Sequence, residues 1–427
     1  MRRLLLLLFL ATLASAQYTA DWASLDARPL PDWYDNAKFG IFCHWGAYSV
    51  PAFREWFWWY WQGETPDKDV VNFVNKNYPP GWSYADFVRE FHAERFDANQ
   101  FKDVIVASGA KYFVLTSKHH EGFTMWPSPT AWQWNAVDVG PKRDLIGELK
   151  KAFTGSPVEF GLYFSLLEWF HPYYKSGNIS RYVEEVSWPQ LHEIVNKYEP
   201  SVIWSDGDWG TTDVLWKSKE FLAWLYNESP IKDKVVVNDR WGTDCMGKHG
   251  GFLTYSDHYD PGKLLERKWE NCMTLDTHSW GHRKDMTALD VNSVHTLIEQ
   301  LARSVSCGGN FLLNVGPDQH GRIPPIFEDR LRELGAFLKP NEVALYGTTA
   351  APVQNDTGNT WYTKRKDAGG TTFLASLPWR QLSRSDVVII AITNPARTSR
   401  ASRDRASWQE DYIAWLRTLK QKPRPRD

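Results

Sequence analysis

The sequence predicts an α/β chain, a (β/α)8-like barrel followed by a small strand-bearing appendage. Two observations carry this expectation. From residue 38 to about 317, short apolar runs alternate with longer amphipathic segments; after about residue 350 the alternation stops. A third narrows it: no glycine-rich phosphate loop follows the first run, as an open nucleotide-binding sheet would require.

The apolar runs are 38–45, 111–119, 158–164, 201–205, 234–238, 269–275 and 310–315. Most are continuous rather than alternating, which is how strands covered on both faces read. Helical segments fall at 84–91, 145–153, 188–198, 218–227 and 291–304. The last sets Val291, Val294, Leu297, Ile298, Leu301 and Val305 on one helical face. Strand-then-helix repetition implies parallel strands. Seven strands over this length suit a barrel that is irregular on one side. Beyond it, 361–364, 371–377 and 387–392 read as strands, 397–405 is polar and basic, and 407–420 is helix-like. The chain closes on Lys422-Pro423-Arg424-Pro425-Arg426, a composition typical of disorder.

The start reads as a leader. Met1-Arg2-Arg3, the run Leu4 to Leu8 and Ala14-Ser15-Ala16 form a charged start, an apolar stretch and a small-residue cleavage site. The stretch is too short to span a bilayer, and no later one is long enough. The expected organisation is a signal peptide at 1–16, a barrel at 17–348 and a short β-rich remnant with a basic tail at 349–427. The sequons at Asn178, Asn227 and Asn355 agree with the secretory route, towards the lysosome or the extracellular space. Four cysteines, Cys43, Cys245, Cys272 and Cys307, are too few for a disulfide scaffold but leave room for one or two bridges. A net charge of −2 with scattered basic residues argues against nucleic acid as the main partner. The 24 Trp, 18 Tyr and 22 Phe suit a carbohydrate site, because flat aromatic faces match the C–H faces of sugars.

In such a barrel, chemistry sits where strands end. Here those ends carry His44, His119-His120-Glu121, Tyr163 with Glu168 beyond, Asp206-Gly207-Asp208, and Asn238-Asp239-Arg240-Trp241. A retaining glycosidase needs two carboxyl groups, one attacking the anomeric carbon and one protonating the leaving oxygen. Asp206 suits the nucleophile, with Gly207 giving the substrate backbone room; its ordinary alternative is an N-cap. The proton donor lies among Asp257, Asp260, Glu266 and Glu270. Trp269 beside Glu270 is placed to raise its pKa by desolvation. Zinc on His44 and the His119-His120-Glu121 segment is disfavoured, because neighbouring histidines on a strand point to opposite faces. No metal and no cofactor is expected. No G-x-S-x-G elbow marks a serine hydrolase.

Several segments resemble one family. Trp33-Tyr34-Asp35-Asn36-Ala37-Lys38-Phe39-Gly40-Ile41-Phe42-Cys43-His44-Trp45-Gly46 is similar to the first strand of the α-L-fucosidases, glycoside hydrolase family 29. So are Glu55-Trp56-Phe57-Trp58-Trp59-Tyr60, the stretch 116–123 around His119 and His120, and Ile203-Trp204-Ser205-Asp206-Gly207. The stretches 237–242 and 261–272 complete the set. The resemblance is greatest to the animal tissue and plasma enzymes. It implies a barrel followed by a β-sandwich, and double displacement releasing L-fucose from glycoproteins and glycolipids. It maps the nucleophile onto Asp206 and sugar contacts onto His44, Glu55, Trp56, His119, His120, Tyr163, Trp204 and Arg240. It leaves the acid/base as Asp257 or Glu270, with Asp257 favoured because a loop adapts to different aglycones. Cys272 falls in its signature segment, in a structural role. Expected partners are fucosylated glycans, with a homo-oligomer among the expectations. After about residue 364 the resemblance ends, so the sandwich reads as truncated or replaced. A non-catalytic fucose-binding protein and a glycosidase for another sugar are the alternatives.

Overall fold

The computed structural model describes residues 18–355, 360–366, 371–373 and 390–392. The expected leader at 1–16, the helix at 407–420 and the basic tail lie outside the described residues.

Each continuous apolar run forms a strand. These are β1 (Phe39–Cys43), β2 (Tyr112–Lys118), β3 (Glu159–Ser165), β4 (Val202–Asp206), β5 (Val236–Val237), β6 (Glu270–Thr274) and β7 (Asn310–Val315). They make one sheet in the order β5-β4-β3-β2-β1-β7-β6, every neighbour parallel. Alternate residues face inward, where Phe42, Tyr112, Val114, Tyr163, Val202, Trp204 and Leu312 pack together. The outward residues meet the helices, so both faces are buried and the runs show no polar alternation.

The barrel is irregular where β5 and β6 leave a gap. β5 is two residues long, against the five expected, and an extended segment at 251–254 stands beside it. Phe252 N–H donates to Val237 O at 3.2 Å, Leu253 N–H to Lys268 O at 2.9 Å, and Glu270 N–H to Leu253 O at 2.9 Å. This segment is an eighth stave, bonded on both sides. Asp239, fully buried, fastens it by accepting from Thr254 N–H (2.9 Å) and Thr254 Oγ1 (2.7 Å).

Helices at Leu145–Phe153, Trp188–Tyr198 and Ser218–Asn227 fall where the sequence predicts them. The helix expected at 291–304 is Val294–Ser306, because Ser293 caps it by accepting from Thr296 N–H. Helices Lys68–Asn77, Ala98–Ala107 and Pro325–Leu338 were not among those predicted. Pro325–Leu338 buries Phe327, Leu331, Leu334 and Leu338 along one stripe. It crosses Ala98–Ala107 so closely that a Cβ on Gly335 would lie 1.8 Å from Ala107 O.

Beyond the barrel, β8 (Thr348–Asn355), not expected from the sequence, pairs antiparallel with β9 (Trp361–Arg365). The pair lies on Val294–Ser306, where Ser306 Oγ is 2.7 Å from the carbonyls of Gln354 and Tyr362. β10 (Thr371–Phe373) and β11 (Ile390–Ile392) form a second antiparallel pair.

All four cysteines are free and buried, so the room left for one or two bridges is not used. They sit in different parts of the core: Cys43 and Cys245 under the helices, Cys272 inside the barrel, and Cys307 beneath Trp361. Asn178 and Asn355 are exposed. Asn227 is half-buried, and its amide is tied to the backbone of Tyr18 in both directions (2.8 and 2.7 Å).

Candidate active site

Strand ends and their loops converge on a cavity of about 230 Å³ lined by Phe42, His44, Glu55, Trp56, Tyr60, His119, Tyr163, Trp204, Asp206, Arg240, Asp257 and Trp280. At roughly 30 Å³ per water, that is room for about eight waters, the scale of one sugar ring.

Asp206 ends β4 on the inward side, two residues beyond Trp204. It is no helix cap, which removes its ordinary alternative: Gly207 occupies the cap position of the short turn Asp208–Gly210. Gly207 has φ +79° and packs against Leu167, so the turn itself demands glycine. That conformational demand replaces the expected room for substrate. The Asp206 carboxylate accepts two hydrogen bonds and has a histidine beside it. Tyr163 OH donates to Oδ2 at 2.8 Å, Arg240 Nη1 donates to Oδ1 at 3.0 Å, and His120 Nε2 lies 3.6 Å from Oδ2.

Arg240 is the hub. Its Nη2 donates to Asp257 at 2.5 Å, its Nε to Thr254 Oγ1 at 3.2 Å, and its guanidinium lies 4.6 Å from the Trp204 ring centre. Burial opposes its charge, but Asp257 and Asp206 outweigh that and hold its pKa well above the usual value. Asp257 therefore stands on the same wall as Asp206, across one guanidinium. Its side chain is 51% exposed. It follows the eighth stave, between Tyr255 (φ 58°) and His258 (φ 55°), two non-glycine residues in the left-handed region. Such backbone strain gathers at functional sites.

Glu270 is elsewhere. It opens β6 at the opposite end of the strand from the cavity, is fully buried, and does not line the cavity. Tyr34 OH (2.6 Å), Tyr112 OH (2.7 Å) and Trp204 Nε1 (2.9 Å) all donate to its carboxyl. Burial raises its pKa, as expected, but among these rings and not beside Trp269 alone. Of the other acidic candidates, Asp260 pairs with Arg303, and Glu266 does not line the cavity. Cys272 is buried in the barrel interior and its thiol is pushed up by burial.

The histidines carry distinct hydrogen-bond roles. Asn314 Nδ2 donates to Trp280 O at 2.7 Å, which leaves its Oδ1 to accept from His44 Nδ1–H, also at 2.7 Å. Burial, then the nearby His119, lowers the His44 pKa to about 4. His44 is thus neutral above that pH, with Nε2 a bare acceptor. His120 Nδ1 lies 2.6 Å from Ser165 Oγ, and a hydroxyl donated there leaves Nε2–H facing Asp206. His120 does not line the cavity; it backs Asp206. The expectation that His119 and His120 diverge is overturned. Their rings are 4.2 Å apart, because β2 ends at Lys118 and the strand alternation ends with it.

Glu55 is 9% exposed, and its Oε2 accepts from Gly281 N–H (2.9 Å), Trp280 N–H (3.2 Å) and Ser279 Oγ (3.1 Å). These bonds dock its loop onto the loop after β6. Trp280, Tyr60 and Phe42 were missed in the sequence. Trp280 lies in the loop after β6, a strand end with no candidate read from the sequence, and its ring is 5.3 Å from that of His44. Phe42 reads as core, being on an unbroken apolar strand. No group of three potential metal-ligating residues occurs among the described residues.

Residues 6–343 match the family described as Alpha-L-fucosidase. The chain belongs to the α-L-fucosidase family. It is a glycoside hydrolase that acts on fucose. A putative α-L-fucosidase of Caenorhabditis elegans is 64% identical over 363 residues, 84% of this chain and 75% of its own. The plasma α-L-fucosidase of Rattus norvegicus is 53% identical over 84% of this chain and 81% of its own. The human tissue α-L-fucosidase is 50% identical over 87% and 83%. Among solved structures, the Thermotoga maritima α-fucosidase in complex with fucose superposes with a TM-score of 0.70 at 32% identity, covering 84% of this chain and 86% of that one.

Proposed function

We propose that this fucosidase releases terminal α-L-fucose from glycoproteins and glycolipids by double displacement, with Asp206 as nucleophile and Asp257 as acid/base. Asp206 attacks the anomeric carbon; the bond from that carbon to the leaving oxygen breaks, and Asp257 gives that oxygen a proton. Water then attacks the fucosyl-enzyme, returns a proton to Asp257 and frees Asp206. The observation that carries this is the sharing of Arg240, whose two terminal nitrogens each bind one of these carboxylates beside the cavity. Retaining enzymes need their two carboxyl groups close together, roughly 5–5.5 Å apart. Glu270 is given no such role, because its carboxyl is occupied by three donors away from the cavity.

In this reading Arg240 orients both carboxylates in the free enzyme, and the arriving sugar displaces part of that pairing. His44 accepts a sugar hydroxyl through Nε2. Trp204, Phe42 and Trp280 supply the apolar wall for the C5 methyl group. The barrel at 17–348 holds all of this chemistry, and the destination is the lysosome or the extracellular space.

Replacing Asp206 with Gly should abolish nitrophenol release from an aryl α-L-fucoside, and azide should restore part of it. Unchanged turnover ends the assignment. A panel of aryl glycosides should show fucoside preferred; equal cleavage of a galactoside points to another sugar.

A further inference from the structure

Behind the cavity wall, two buried polar atoms face each other without a hydrogen bond. His119 Nδ1 and Glu121 Oε2 are 3.5 Å apart, with side chains 3% and 2% exposed. Neither has a hydrogen-bond partner. Leaving either orphaned is costly in a buried site, and a small rotation joins them. Glu121 is no cavity residue; His119 is. The cation nearest in sequence, Lys118, is fully buried and turned to Tyr182 OH and Gln190 Oε1 at 3.0 Å each. His119 Nδ1, at 3.5 Å, is the basic group within ion-pair reach of Glu121 Oε2.

We propose that Glu121 is a positioning residue, whose carboxylate takes the Nδ1 proton of His119 as a hydrogen bond and leaves Nε2 bare to accept a sugar hydroxyl. Resting on the fucosidase reading of the cavity, this deepens it. It gives His119 the same polarity as His44, whose Nδ1–H is fixed by Asn314. The cavity then offers two imidazole acceptors to hydroxyl donors. A sugar carrying a methyl or a hydrogen in place of either hydroxyl leaves a buried acceptor unpaired, which a site of this kind rejects strongly.

The test uses the full chain with Glu121→Gln, which keeps shape and removes charge, and His119→Gln. With labelled histidines, nitrogen NMR of the resting protein should show His119 as the Nδ1–H tautomer in the parent. In Glu121→Gln that signal should shift towards a mixture of tautomers. On an aryl α-L-fucoside, KM should rise on the order of tenfold, with kcat less affected. Adding Glu121→Gln to His119→Gln should change KM no further, since the residues act as one unit. An unchanged His119 tautomer, or fully additive losses, overturns the proposal. Should Glu121→Gln fail to fold by circular dichroism, Glu121→Asp carries both readouts, and an unaltered tautomer and KM there also overturn it. The NMR arm needs no turnover, so it separates failure of this pairing from failure of the catalytic reading.

Discussion

Trp204 donates its indole N–H to Glu270 at 2.9 Å, so a buried carboxyl supports the indole that lines the cavity. The same carboxyl accepts from two tyrosines, Tyr34 and Tyr112. A group so engaged acts on the substrate only through Trp204. Glu270→Gln should therefore lower stability by about 1–3 kcal/mol, read by thermal denaturation. Azide should restore nothing in that variant. Rescue by azide would move the acid/base role to Glu270.

Asp257 has the opposite expectation. Asp257→Ala should depress kcat/KM severely for a fucosyl disaccharide, whose leaving group needs a proton. The loss should be far smaller for a dinitrophenyl fucoside, whose leaving group does not. General acid catalysis supplies about 10²- to 10⁴-fold, which bounds the difference. Equal losses on both substrates would assign Asp257 to binding alone.

Arg240→Lys removes the fork that joins the two carboxylates while keeping one positive charge. The Nη1 and Nη2 bonds to Asp206 and Asp257 cannot both be replaced by one ammonium. The expected outcome is a loss of kcat/KM of at least about tenfold, since bonds to charged groups contribute roughly 1.5–3 kcal/mol. Near-parental kinetics would show that charge suffices.

Stability should depend on pH through Asp208. Burial and the charge of Asp206 push its carboxyl up to about 7, and it is 4% exposed with Oδ1 unpartnered. Burial likewise pushes Glu168 up to about 7. Unfolded carboxyls release their protons near pH 4, so the folded chain binds more protons between about pH 4 and 7. Their contribution is complete below that window and is lost as pH rises through about 7. His44, lowered to about 4 by burial and His119, acts in the other direction and destabilises the fold as pH falls through about 4. Asp208→Asn should thus raise the melting temperature relative to the parent more at pH 7.5 than at pH 4.5. A difference independent of pH would argue against a buried, protonated Asp208.

Gly335 marks the contact of Pro325–Leu338 with Ala98–Ala107. A Cβ there meets Ala107 O at 1.8 Å, and backbone cannot turn aside as a side chain can. Gly335→Ala should destabilise by about 1–3 kcal/mol, despite alanine's better helix propensity. Denaturant unfolding checks it; a stabilised variant would show that the helices separate freely.

The barrel strands were legible because each is a local apolar run buried on both faces. Helices such as Leu145–Phe153 were legible because caps and periodicity are local too. Pro325–Leu338 carries the same local signal in Phe327, Leu331, Leu334 and Leu338. The eighth stave was not legible. Its apolar residues are few, and its bonds run to Val237 and Lys268, partners distant in sequence.

What the sequence by itself determined is a succession of parallel strands and the polar groups at their ends: His44, His119, Tyr163, Asp206 and Arg240. Period and composition are properties of neighbouring residues. Only the tertiary structure separates the surroundings of Asp257 and Glu270, although 13 positions lie between them. One follows the eighth stave into the cavity mouth, and the other opens β6 at the far end, under Trp204. Direction along a stave is set by the closed sheet, and closure depends on hydrogen bonds between segments that no local pattern records.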